Sequence, residues 1–228
     1  MHTGADMMKK FLRDNGLSLV LCAAFLVFWM AQSWFGYLTY AEERREHGLE
    51  APAFGAYIGS SHFWQATSEN WESEFLQMGI YVFFASFLYQ RGSAESKDPD
   101  KSEDCDEAVE AHAHDEGAPT ILQKGKALRW LYQYSLGLCF LALFLVSFCL
   151  HAFSSYVLAG EEAAQHGRPT PGFWSHMSEP QFWFESMQNW QSEFLAVFAI
   201  VVLSIWLRHH ASPESKCVWT PHAKTGKS

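Results

Sequence analysis

The chain has 228 residues, of which 49% are hydrophobic and 18% charged, with a net charge of -9. The acidic balance argues against nucleic acid as a partner, and most of the excess sits in one connector rather than on a binding face. The low charge and the wealth of Phe and Trp suit a membrane protein, whose polar loops hold the mean hydropathy near zero.

Residues 1–11 are a short polar start. The apolar run Gly16 to Tyr40 follows, long enough to cross a bilayer core, which takes about 20 helical residues. Lys9, Lys10 and Arg13 before it resemble the positive flank of a signal peptide, but the run is too long for that, and a matching run stands mid-chain. Trp29, Trp34 and Tyr37 in its outer half suit an interfacial belt. Glu43 and His47 are four apart on one helical face, and Gly48 suits the helix end.

Pro52 marks a loop, and Ser60-Ser61 can cap a new helix. That helix carries Phe63-Trp64 and Asn70-Trp71-x-Ser73-Glu74-Phe75-Leu76, and leads into the apolar run Phe75 to Tyr89. Residues 92–127 form an acidic connector, expected to be solvated and largely disordered. His112-x-His114 within it reads as part of a solvated tract, with weak metal binding as the alternative.

The second half repeats the first. Adding 119 to a number finds its partner: Tyr37 and Tyr156, Glu43 and Glu162, His47 and His166, Phe63-Trp64 and Phe182-Trp183. Asn189-Trp190-x-Ser192-Glu193-Phe194-Leu195 repeats the second motif. The third and fourth apolar runs are Tyr134 to Ala159 and Phe194 to Leu207. His151 in the third takes the place of Gln32 and reads as a polar contact between helices. Self-similarity at a fixed offset implies one unit made twice. The units are expected over residues 1–91 and 128–211, followed by a tail, 212–228. A Ser-x-Glu-Ser-Lys segment follows each.

These runs predict an all-α integral membrane protein with four transmembrane helices. They form two tandem, parallel helical hairpins related by a pseudo-two-fold axis. Of 16 Lys and Arg residues, only Arg44, Arg45 and Arg168 fall between paired runs. The termini and connector should therefore be cytoplasmic and the Asn-Trp segments extracytoplasmic. None of the five cysteines lies outside, so no disulfide framework is expected.

Two candidate sites follow. On a helix, Phe63, Asn70 and Glu74 share a stripe flanked by Trp64, Trp71 and Phe75, roughly 140° wide and identical in both copies. The positions that differ, such as Glu69/Gln188 and Glu72/Gln191, point mostly elsewhere. Asn70, Trp71, Glu74, Asn189, Trp190 and Glu193 either anchor the helices at the interface or line an outward pocket for a cationic or hydrogen-bonding ligand. Glu43, His47, Glu162 and His166 offer a carboxylate–imidazole set for a divalent metal; the competing reading is ordinary helix-end chemistry. No other cofactor is implied.

The Phe-Trp, Asn-Trp-x-Ser-Glu-Phe-Leu and Ser-Pro-Glu-Ser-Lys segments resemble an uncharacterised family of bacterial multi-pass membrane proteins, a domain of unknown function. The resemblance covers both units and the Pro221-His222 tail, and implies a bacterial inner-membrane location and topology only. The resulting expectation is a non-enzymatic membrane protein that senses, scaffolds or binds through its outer face. Its partners would be the lipid bilayer and a second copy or another membrane protein. A small transporter or channel is the alternative, and a metal-dependent protein the next.

Overall fold

The computed structural model describes residues 4–226, and among them every regular element is helical. Two compact units meet within one helix, the first ending at Trp64 and the second running from Gln65.

In the first unit, helix α1 spans Gly4–Glu46. It stops at Gly48, whose φ of +72° is free of Cβ strain. The Gly48 and Leu49 amides there return to the carbonyls of Arg45 (2.9 Å) and Arg44 (2.8 Å). The short helix α2, Phe54–Ile58, folds back on α1. Tyr57 is buried with its hydroxyl over Gly36, where no side chain stands in its way. Tyr37 meets Phe54 edge-on at 5.5 Å, and Trp29 lies 6.2 Å from Phe63. Trp29 and Tyr37 thus pack against residues that fold back on α1, while Trp34 is exposed. The amide of Phe63 donates to Ser60 Oγ at 3.3 Å, the expected cap of helix α3, Ser61–Ala85.

The second unit holds most of α3, then α4 (Val109–His112), α5 (Lys126–Gln133), α6 (Ser135–Gln165), α7 (Phe173–His176) and α8 (Pro180–Leu203). Helix boundaries recur at the offset of the sequence repeat: Gln165 matches Glu46, Phe173 matches Phe54 and Pro180 matches Ser61. The stop after α6 is built like that after α1, with Gly167 at φ +62° and the Arg168 amide on Ala163 O at 2.8 Å.

Apolar side chains are exposed in both units, and in the second most of the buried ones are polar, the inverse of a water-soluble bundle. Phe28 on α1 is 73% exposed and Phe153 on α6 is 62% exposed, whereas Glu72, His151 and Ser186 are 0% exposed. Helices α1 and α6 are long and apolar enough to cross a membrane, over Asp6–Glu46 and Ser135–Gln165. The expected four crossings are thereby corrected to two that qualify. The reason lies in α3 and α8, whose first halves are polar. The apolar part of α3, Phe75 to Ala85, rises only about 16 Å at 1.5 Å per residue, against a bilayer core of about 30 Å.

The acidic connector, expected to be largely without structure, is drawn together by ion pairs. Arg91 meets Asp100 at 2.5 Å, Lys97 meets Asp106, and Glu103 and Asp106 cap a short 3-10 turn reciprocally. Burial is what the second Ser-x-Glu-Ser-Lys segment achieves. Lys216 is 1% exposed, and its Nζ donates to the carbonyls of Gly92 (2.5 Å), Lys224 (2.8 Å) and His222 (3.0 Å). The Gly226 amide reaches Ser93 O at 2.9 Å, and Ser93 Oγ meets Ser204 Oγ at 3.0 Å. The tail therefore ties the end of α8 to the first residues of the connector.

Candidate functional site

Three helices of the second unit converge on one carboxylate, Glu72 of α3. Ser186 Oγ and Trp190 Nε1 of α8 donate to its Oε1 at 3.1 and 3.2 Å. His151 Nδ1 of α6 faces its Oε2 at 3.1 Å. A carboxylate with no exposure survives only when its lone pairs are satisfied in this way. The imidazole is stacked on Phe182, with ring centroids 4.8 Å apart and planes 23° from parallel. That stacking, together with Glu72, fixes the plane and rotation of the ring.

One turn earlier on α3, Glu69 joins the same assembly. Oxygen atoms of Glu69 and Glu185 and one ring nitrogen of His151 all lie within 4.8 Å of one another. Asn189 Nδ2 donates to Glu69 Oε1, while Gln65 Nε2 (3.2 Å) and Gln181 Nε2 (2.7 Å) donate to the two oxygens of Glu185. His151 Nε2 is buried and has no hydrogen-bond partner among the described residues. Nδ1 is engaged by Glu72, so Nε2 is the nitrogen left for the Glu69–Glu185 pair. Two carboxylates this close repel by about 3 kcal/mol at an effective dielectric constant of 20. A positive charge between them removes that repulsion.

The residues picked out from the repeat take unequal parts. Trp190 and Asn189 belong to the cluster through their bonds to Glu72 and Glu69. Asn70 is exposed, with Nδ2 on the Ala66 carbonyl of its own helix at 2.7 Å, and Glu74 is exposed. Trp71 is half-buried. Glu193 is half-buried and within reach of the charge of Glu74. In the Glu–His pairs, His47 Nδ1 meets the backbone carbonyl of Glu43, and His166 Nδ1 that of Glu162, each at 2.8 Å. All four of these residues are exposed and sit at helix ends.

Glu69, Glu72 and Glu185 are not among the residues that the repeat singles out. Their counterparts are Gln188, Gln191 and Ala66, and the counterpart of His151 is Gln32. Glu72 does lie away from the repeated stripe, yet it is buried, whereas its counterpart Gln191 is exposed. The cluster thus draws on positions at which the two copies differ.

A second polar chain joins α6 to α7. Ser155 Oγ lies 2.8 Å from His176 Nε2, and His176 Nδ1 lies 3.4 Å from Glu179 Oε2. The serine and histidine are buried, and the corresponding pair in the first copy is Gly36 with Tyr57.

No curated protein and no solved structure matches the chain. The family described as Domain of unknown function (DUF6766) matches residues 8–227, so the chain belongs to it.

Proposed function

We propose that this is an integral protein of a bacterial inner membrane that binds a small cation in the polar cluster shared by α3, α6 and α8, without turning over a substrate. The observation that carries the reading is the Glu69–Glu185 pair, held together beside a buried imidazole with no cation from Lys or Arg among them. Membrane location is supported by the two long apolar helices and the exposed Leu and Phe along them. The bias of Lys and Arg favours cytoplasmic termini.

The test is thermal unfolding of the purified full chain in detergent, against a panel of monovalent and divalent cations at constant ionic strength. A bound cation stabilises the folded state by mass action. Wild type should melt higher with at least one cation. The double variant Glu69→Gln with Glu185→Gln should ignore every cation and melt above cation-free wild type, because its repulsion is gone. A wild type indifferent to the whole panel overturns the reading.

A second reading is favoured by Ser155 Oγ, which lies 2.8 Å from His176 Nε2, the spacing of a nucleophile and its base. Labelling by a fluorophosphonate probe, lost in Ser155→Ala, is its expected sign. Absence of labelling in folded wild type ends it.

A further inference from the structure

Resting on the cation-binding reading, we infer that the ligand is a divalent first-row transition metal. It is held by Glu69, Glu185 and His151 Nε2, with Glu72 as the residue that positions the histidine.

The chemistry of the cluster selects this class. A site for Na+ or Mg2+ is built from oxygens alone, whereas imidazole nitrogen is the donor that zinc, iron and their neighbours favour. His151 supplies that nitrogen in the form needed. Glu72 Oε2 accepts from Nδ1, and a proton held on Nδ1 leaves the lone pair on Nε2. The same arrangement explains why Nε2 is buried without a hydrogen-bond partner. It is a lone pair in a dry site, beside two carboxylates, and a metal satisfies all three.

A carboxylate behind the distal nitrogen of a metal-binding histidine orients the ring and raises its basicity. The network extends outward in the same manner. Asn189 donates to Glu69, and Gln65 and Gln181 donate to Glu185, so each carboxylate that would bind metal is already aimed by an amide. Phe182 closes one face of the ring. Donors spread over 4.8 Å must draw in to about 3.4 Å around an ion bound at about 2.1 Å. Glu69 and Glu185, both half-buried on helices, have the side-chain freedom to do this. Three protein ligands leave a coordination position open.

The protein itself suggests variants that fold. Substitution by the residue of the other copy gives Glu69→Gln, His151→Gln and Glu185→Ala, each residue already present at the equivalent place. The experiment is titration of chelator-stripped full-length protein in detergent with Zn2+, Mn2+ and Mg2+. It is read by calorimetry and by bound metal per chain after gel filtration. Wild type should take up one Zn2+ per chain in preference to Mg2+. His151→Gln and Glu185→Ala should each abolish stoichiometric uptake. Glu72→Gln, which touches no metal, should weaken Zn2+ by roughly 10–100-fold and shift the pH midpoint of uptake. Glu43→Gln with Glu162→Gln should change nothing.

Unaltered Zn2+ uptake by folded His151→Gln and Glu185→Ala overturns the assignment. Binding of Mg2+ or a monovalent ion that is equal in wild type and His151→Gln also overturns it, while leaving the cation reading standing. Protein that takes up no cation at all overturns both.

Discussion

Replacing Glu72 by alanine isolates the keystone of the buried network. The side chain is fully buried, and its loss strands three donors: Ser186 Oγ, Trp190 Nε1 and His151 Nδ1. A buried donor without an acceptor costs about 1–3 kcal/mol, and breaking a buried charged pair by removing one partner costs about 3–5 kcal/mol. Donors that share one carboxylate are not additive, so the pair figure sets the scale. For a chain of this length each kcal/mol moves the melting temperature by about 2–4 °C, so Glu72→Ala should lower it by roughly 6–20 °C. Glu72→Gln keeps one acceptor oxygen and loses about 1–2 kcal/mol, a fall of roughly 2–8 °C. Unfolding in detergent can be followed by tryptophan fluorescence, to which Trp190 contributes directly. If Glu72→Ala melts within about 2 °C of wild type, the network does not hold α3, α6 and α8 together and the reasoning fails.

Gly36→Ala would ordinarily stabilise a helix by about 1 kcal/mol, but here the new Cβ meets the Tyr57 hydroxyl, and a loss of about 1–3 kcal/mol is expected. Tyr57→Phe added to it should restore most of the melting temperature, and a stabilised single variant would contradict the packing. Lys216→Met removes the donor that joins the Gly92, His222 and Lys224 carbonyls, each such bond being worth about 1.5–3 kcal/mol. Limited proteolysis should release the tail at least about tenfold faster, with little change in global melting, and an unchanged rate would refute the clasp. Hydrogen bonds donated to Asp115 and then Glu107 raise the His112 pKa above its ordinary value. Folding therefore favours the protonated ring: the contribution is complete below the unfolded pKa and disappears as pH rises through the folded one. Ring-proton shifts in NMR should titrate above 6.5, the ordinary histidine value, and a midpoint at or below it would remove these contacts.

Helix ends were legible because they are local. Gly48 and Gly167 stop helices through backbone geometry, and Ser60 begins one through a single hydrogen bond, so a few residues suffice to read them. The site was not legible, because burial on α3 is decided by partners far along the chain. At 100° per residue Glu72 lies on the opposite side of α3 from Phe63, and both are buried, so no single stripe describes the helix. Glu72 reads as a wet residue until Ser186, Trp190 and His151 are known to surround it. Asn70 and Glu74 are exposed, since identity between copies does not require burial. The connector shows a third limit. Lys97 with Asp106 and Arg91 with Asp100 are pairings that composition does not encode.

The glutamines opposite the acidic cluster carry a consequence for how such a duplicated protein changes over time. Gln188 and Gln191 keep nearly the size and hydrogen-bonding range of glutamate without its charge, and Gln32 stands where the other half has an imidazole. The cluster takes Glu69 and Glu72 from the first copy and His151 and Glu185 from the second, so the two halves build one acidic centre jointly. An ancestor with interchangeable halves would have carried two such centres. Rebuilding the counterpart set in sequence would take glutamate at Ala66, Gln188 and Gln191 and histidine at Gln32.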